Sequence, residues 1–343
     1  MPFTLLIDTS RWRRHLDGVR DVVEGLVPVV KGNGYGFGLS RLAEEATRLG
    51  VDTVAVGEAG EVEAVREHFA HDVLVLSPYR PWDDPAPHPQ VVRTVSDVDG
   101  LTALAGTGSR VVVELLTRMV RHGLGPDDLR EVPGMLDGLQ CEGFALHLPM
   151  DEPSEGRVSE VVHWAEVLDG PTVPRRVLWV SHLSDDELAE VRRRCPDWTL
   201  RPRIGTRLWL GDRDALEARG TVLDVHRLAR GDRYGYRQHR ARRDGWLLVV
   251  AGGTAHGVGL EAPKPVRGVV SRAKVLAIGM LGASGRALSP FTWAGRRRWF
   301  AEPPHMQVSM LWLPDAVTPP KIGDTLACDV RMTTTHVDAI EDS

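Results

Sequence analysis

The stretch Val27 to Gly38 reads VPVVKGNGYGFG: a short apolar run closes on Lys31, and glycine then recurs at every second position with Tyr35 among them. Of the 42 basic residues only Lys31, Lys264, Lys274 and Lys321 are lysine, so arginine serves wherever a generic positive charge is enough. Lysine at position 31 is therefore a candidate for chemistry that arginine cannot perform. Phosphate-cradling loops need G-x-G-x-x-G or G-x-x-x-x-G-K-[ST]; here the third glycine is misplaced and the lysine precedes the loop, so both nucleotide readings fail on spacing. Two readings of Lys31 remain. It is either a solvated charge at a strand end or a Schiff-base lysine whose amine condenses with an aldehyde.

The elements around it alternate. From about residue 10 to 215, helix-like RWRRHLDGVRDVV, LSRLAEEATRLG and EAGEVEAVREHF separate the apolar runs LVPVVK, DTVAV and DVLVLS, and further runs follow at VRTV, RVVVEL, GFALHL, VLWVS and near RPRIG. Short strands separated by longer helices imply parallel strands with right-handed crossovers. These eight candidates are the number a (β/α)8 barrel needs, and Lys31 falls at the carboxyl end of the first, the face on which barrel enzymes build their sites. After LWLGDRDALEARG the rhythm changes. TVLDVHRL, GWLLVVAGG, GVVSRAKVLAI, QVSMLWL and DTLACDV are divided by Gly- and Pro-rich turns with little helical periodicity. The expected fold is α/β: an N-terminal TIM-type (β/α)8 barrel over residues 1–215, followed by a mainly β C-terminal domain over 216–343.

Bulk properties narrow the function. A formal net charge of −5 argues against nucleic acid as the main partner, and the basic runs RQHRARR and GRRRWF read as solvated faces. No run of about 18 apolar residues is present to span a bilayer, and MPFTLLIDTS has no basic leader before a long apolar stretch, so a cytoplasmic protein is expected. Cys141, Cys195 and Cys328 are widely spaced and match no metal or redox motif, so no metal is expected.

VPVVKGNGYGFG resembles the pyridoxal-phosphate lysine motif of alanine racemases, V-V-K-A-N/D-A-Y-G-H-G, with Phe37 in place of the usual histidine. The resemblance implies that Lys31 carries pyridoxal 5'-phosphate and that Tyr35 donates its hydroxyl to the phosphate. RIGTRLWLG resembles the family's R-x-G-I-x-x-Y-G segment, which implies Arg203 at the pyridine nitrogen and the backbone of Gly205 and Thr206 at the phosphate. VSHLS occupies the place of a phosphate-binding serine, Ser184, and His147 in ALHLP stands where the family has T-H-F, beside the pyridine ring and linked to Arg203. RMVRHGLG resembles M-x-R-x-G and makes Arg121 the candidate for the substrate carboxylate; VSMLWLP places Met310 on the substrate side. GDRYGYR resembles G-x-x-Y-G, with Tyr234 as the catalytic tyrosine. Taken singly, each has a plainer alternative: Arg121 and Arg203 as surface ion-pair partners, Tyr234 as a packed strand aromatic, His147 as a satisfied core histidine. Their order along the chain, together with the switch from barrel to β-domain, favours the resemblance.

If the resemblance holds, the reaction is amino-acid racemisation, most naturally of alanine, with Lys31 and Tyr234 flanking Cα as two bases. An unperturbed tyrosine titrates near about 10, so Tyr234 is expected to be tuned by nearby positive charge, which His147 and Arg203 are expected to supply. An arginine at the pyridine nitrogen, unlike a carboxylate, weakens the ring as an electron sink and favours a racemase over a decarboxylase. The family pairs head to tail, which implies a homodimer whose tyrosine comes from the other subunit. Departures fall on the substrate side. Leu311 stands for an aspartate, Thr254 for an entrance tyrosine, and VRMTTTHVDAIEDS lacks the final tyrosine and R-V-P-R. Glu114 stands for a lysine that is often carbamylated, and is expected to orient Arg121 or Arg118. These departures leave open a racemase or a lyase or decarboxylase for another amino acid, or a pyridoxal-phosphate-binding homologue without turnover.

Overall fold

In a computed structural model, residues 2–82, 88–130, 132–151, 153–169, 175–260 and 287–343 are described. The chain divides into two compact units, Arg13–Gly211 and the combination of Met1–Trp12 with Asp212–Ser343. The first strand, β1 (Phe3–Ile7), thus groups with the C-terminal residues, and the division falls at 211/212, where the sequence suggested 215/216. Helix α1 (Thr9–Val22) follows β1.

The unit Arg13–Gly211 is an eight-stranded parallel barrel. Its strands are β2 (Val27–Pro28), β3 (Thr53–Val56), β4 (Asp72–Pro78), β5 (Val91–Val95), β6 (Arg110–Leu115), β7 (Gln140–Leu146), β8 (Val177–Ser181) and β9 (Thr199–Ile204), hydrogen-bonded in the order β2-β9-β8-β7-β6-β5-β4-β3. A parallel bridge between Val29 and Ala55 joins the two ends of that order. All eight strands coincide with the apolar runs of the sequence. Between them lie α2 (Leu39–Leu49), α3 (Val62–Arg66), α4 (Val98–Leu104), α5 (Val132–Met135), α6 (Ser154–Val167) and α7 (Asp185–Arg194), and α8 (Thr206–Leu210) follows the last strand.

Side chains alternate along a strand, and one parity fills the barrel. Val27, Val29, Ala55, Leu74, Val92, Val112, Ala145, Val177 and Trp179 pack together as that filling. Burying each Val or Leu contributes about 1.5–3 kcal/mol, so the lower layers hold the barrel shut. Two residues further along four of these strands, the same parity reaches Lys31, Glu114, His147 and Ser181. The apolar filling stops one layer short of the carboxyl rim, and a polar layer lies over it.

The second unit is a mainly antiparallel sheet. Its strands are β1, β10 (Leu216–Leu228), β13 (Gly245–Ala251), β14 (Leu288–Trp293), β15 (Arg296–Phe300), β16 (Val308–Pro314), β17 (Thr325–Cys328) and β18 (Ala339–Asp342), in the order β13-β16-β15-β14-β17-β10-β1-β18. The long β10 pairs β1 and β17 along its first half and turns to pair β13 along its second, at an irregularity between Val222 and Asp224. β11 (Arg233–Tyr234) and β12 (His239–Arg240) form a separate small hairpin. The C-terminal strand is tied in by Asp338, whose carboxylate accepts the Phe3 N–H at 2.8 Å and faces His256 Nε2 at 3.1 Å. The expected strand GVVSRAKVLAI lies outside the described residues.

Candidate active site

The Lys31 loop is bent tightly. Gly32, Gly34, Gly36 and Gly38 all have positive φ, and so does Tyr35 at φ 55°, a left-handed conformation that costs a side-chain-bearing residue energy. The alternate glycines absorb the remaining left-handed positions, and the bend buries Tyr35 and Phe37. The Tyr35 hydroxyl packs directly on residue 205: a Cβ built on Gly205 would lie 1.9 Å from it. Glycine is needed there for close approach. Burial, reinforced by the Glu61 charge, pushes the Tyr35 phenol up to about 12. It is therefore a proton donor at any working pH.

Glu61 is a residue that sequence reasoning missed. Its carboxylate accepts the N–H of Gly32 at 2.6 Å and of Gly57 at 2.7 Å, so it joins the loops after β2 and β3 beside the lysine. A glutamate in an amphipathic segment, EAGEVEAVREHF, gives no sequence signal of such a task. Lys31 remains reachable from solvent, yet desolvation by its surroundings lowers its amine below the ordinary lysine value, and the Arg121 and Arg203 charges push the same way while Glu61 opposes them. Fewer protons on the amine make it a better nucleophile and base.

Arg203, in β9, is buried, and its Nη2 donates to the Leu146 carbonyl at 3.0 Å while its Nε has no partner among the described residues. Burial lowers it to about 10, with Glu114 opposing and Arg121 adding to the shift, so it stays a cation at neutral pH. His147 follows β7. Its Nδ1 lies 3.2 Å from Ser181 Oγ, and its ring meets His182 edge-on at 5.0 Å. Burial, with Arg203 as the next cause, drives His147 down to about 3, so it is a neutral imidazole.

Ser181 and His182 also escaped the sequence reading, which fixed on Ser184. Ser184 caps α7: its Oγ accepts the Glu187 N–H at 3.3 Å, and its own N–H donates to Glu187 at 2.7 Å. The parity of VLWVS would have pointed to Ser181. Thr206, exposed, begins α8 directly after Gly205.

Glu114 is 2% exposed, and its Oε2 has no partner among the described residues. The loop after β6 doubles back through Leu116 N–H to Leu124 O and Leu124 N–H to Glu114 O, both at 2.9 Å, and brings Arg121 within 3.8 Å of the Glu114 carboxylate. Burial raises Glu114 above the usual carboxylate range, and Arg203, Arg121 and His122 hold it down. The expected pairing with Arg121 is present. The backbone N–H of Arg118 donates to Glu160 at 2.7 Å.

In the second unit Tyr234 sits on β11 with its hydroxyl 3.5 Å from the Ala301 carbonyl and its ring beside Trp312 and His239. Met310 packs in the same small cluster. Within its own unit the Tyr234 phenol is raised, by burial first and then by Glu302, with Arg242 opposing. Within that unit, burial and the Glu302 carboxylate outweigh Arg242, so the direction differs from the lowering expected from the sequence. Leu311 points the other way along β16, into the sheet core with Leu313, Leu326 and Phe291. A leucine there is explained by packing. Thr254 donates its N–H to the His305 carbonyl at 2.8 Å in a short 3-10 turn.

A parallel α/β barrel with a lysine, two arginines, two histidines and a phenol gathered at its carboxyl rim, followed by a β-domain, has the fold of the alanine racemases. Among solved structures, alanine racemase from Bacillus anthracis with bound L-Ala-P is similar at TM-score 0.73 and 17% identity, covering 96% of this chain and 86% of that one. Alanine racemase from Bartonella henselae with covalently bound pyridoxal phosphate is similar at TM-score 0.71 and 14% identity, over 100% and 99%. Residues 7–175 match the family described as alanine racemase, N-terminal domain. Alanine racemases of Nitratidesulfovibrio vulgaris and Symbiobacterium thermophilum are each 30% identical, over 162 and 163 residues, covering 45% and 43% of this chain. The matches cover 39% and 43% of those two proteins, so the chain spans about two fifths of the length of the relatives it matches. Among the described residues no helix is long and apolar enough to cross a membrane.

Proposed function

We propose that the protein is a pyridoxal-phosphate-dependent amino-acid racemase acting on alanine through Lys31 and Tyr234. The observation that carries this reading is the barrel mouth itself, where a partly desolvated lysine shares one rim with a fully buried arginine whose Nε is unpaired among the described residues. The donor set fits the cofactor. Lys31 would hold its aldehyde carbon, Tyr35, Gly205, Thr206 and Ser184 its phosphate, and Arg203 its ring nitrogen, with His147 beside the ring. When bound, the cofactor supplies a conjugated ring that takes up the electron pair left at Cα.

The chain's own residues do the rest. Arg121, steadied by Glu114, binds the substrate carboxylate, with Met310 on the same side. Lys31 Nζ takes or returns the Cα proton on one face and Tyr234 Oη on the other. Arg203 stays charged and accepts no proton from the ring, which limits competing reactions. Neutral His147 adds no cation against the ring.

Lys31 and Tyr234 belong to different compact units, and a head-to-tail homodimer would complete each site with Tyr234 of the partner subunit. A cytoplasmic setting agrees with Cys141, Cys195 and Cys328 all being free thiols among the described residues. Thr254, smaller than the tyrosine it replaces, favours as second reading a racemase for an amino acid larger than alanine.

The test is the visible absorbance band of protein loaded with pyridoxal phosphate. It should be present in the parent and lost in Lys31→Ala. A colourless parent that takes up no added cofactor contradicts the reading.

A further inference from the structure

The turn that carries Tyr234 is built on a buried carboxylate. Glu302 accepts the Tyr236 N–H at 3.0 Å through Oε2, with Oε1 at 3.4 Å, and its Oε1 pairs with His305 Nε2 at 2.7 Å. Between Tyr234 and Tyr236 the chain turns at Gly235, φ 72°, where a Cβ would lie 2.2 Å from Glu302 Oε2. The ring of Tyr236 packs on His305 at 4.6 Å, and Tyr234 Oη reaches the carbonyl of Ala301, the residue before Glu302. Both the backbone that follows the tyrosine and the tip of its side chain are therefore referred to residues 301 and 302.

We propose that Glu302 is a positioning residue for Tyr234: its buried carboxylate fixes the turn after the tyrosine through the Tyr236 N–H, next to the Ala301 carbonyl that the phenol reaches. The proposal rests on the reading of Tyr234 as a proton-carrying residue. The charged and titratable groups around the phenol are Glu302, Arg242 and His239, with His305 behind Glu302. Of these Glu302 raises the phenol and Arg242 lowers it. His305 donates a hydrogen bond to the carboxylate and withdraws part of its charge from the tyrosine. Tyr234 thus rests protonated, while the Lys31 amine is lowered and partly relieved of its own proton.

The experiment is an ultraviolet titration of the tyrosines in the full-length protein, with Tyr234 identified as the component lost in Tyr234→Phe. Glu302→Gln keeps an oxygen to accept the Tyr236 N–H and removes the charge. The Tyr234 midpoint should then fall. A midpoint that stays in place overturns the proposal. If Glu302→Gln does not fold, His305→Ala decides instead: it bares the Glu302 charge and should move the midpoint up, while no movement or a fall overturns the proposal. Turnover of Tyr234→Phe is measured beside the titration. Full activity there would sink the role of Tyr234 while leaving the Glu302 result standing on its own.

Discussion

The hydroxyl of Tyr35 occupies the space that a side chain at residue 205 would need, only 1.9 Å from an ideal Cβ on Gly205. The loop after the first barrel strand and the turn after the last are thus fitted to each other at one atom. Gly205→Ala should push Tyr35 out of that contact and weaken cofactor binding about tenfold or more, equivalent to about 1.4 kcal/mol. Absorbance titration of the apo protein with pyridoxal phosphate checks this, and unchanged affinity would remove Tyr35 and Gly205 from the phosphate site.

Glu114 makes a prediction with a sign. Its carboxyl is raised by burial, so its charge is lost on acidification at a higher pH than for an ordinary glutamate at about 4.3. If its anion steadies Arg121, the Michaelis constant for substrate should climb as pH falls into that range. Glu114→Gln should raise it about three- to tenfold at neutral pH and flatten the dependence, a modest effect because Arg121 is partly solvated. No change in the Michaelis constant would separate Glu114 from substrate binding.

His147 is held neutral, and the linkage runs in one direction. Its folded value of about 3 lies below the unfolded value of about 6.5, so the unfolded chain binds the proton more readily between them. The contribution of the neutral ring is intact above about pH 6.5 and is lost as pH falls toward 3. Denaturant melts of the apo protein across that window should show declining stability, with a shallower decline in His147→Asn. An identical slope would contradict the assignment.

Lys31 can be followed directly, because only three other lysines are present. Reductive methylation with carbon-13 should give one methyl-lysine resonance titrating below the rest, and Glu61→Gln should lower it further by removing the opposing charge. Loss of a carboxylate that accepts the Gly32 and Gly57 amides should also cost roughly 1–3 kcal/mol of stability. A Lys31 resonance that titrates with the others would remove the account of its activation.

The barrel was legible because each parallel strand is a compact apolar run, and a local pattern suffices to read it. β1 was not, since Phe3–Ile7 pairs with residues 216–220 and nothing local announces a partner that distant. Lys31 stood out through residue type and its place at a strand end, whereas Tyr35, Arg121 and Arg203 were legible only through the resemblance to alanine racemase motifs. Glu61, Ser181 and Glu302 did not stand out, because their tasks are to receive main-chain N–H groups or to continue a strand's inward parity, and both depend on the folded backbone. The alternation of β16 packs Leu311 into the sheet core, an environment the sequence motif alone does not announce.

Shared sites can be tested by mixing. In a head-to-tail dimer, equal amounts of Lys31→Ala and Tyr234→Phe chains, each inactive alone, should regain about a quarter of parental activity after subunit exchange, since half the dimers carry one intact site. Activity that stays absent would place both residues of a site in one subunit.

The central claim is proton removal from one face of Cα and return on the other. Incubating the cofactor-loaded protein with L-alanine in heavy water, while following both enantiomers and deuterium at Cα, tests it most directly. The account predicts D-alanine carrying deuterium at Cα and an approach to equal amounts of the two enantiomers. Deuterium entering L-alanine without formation of the D enantiomer, or no exchange at all, would contradict it.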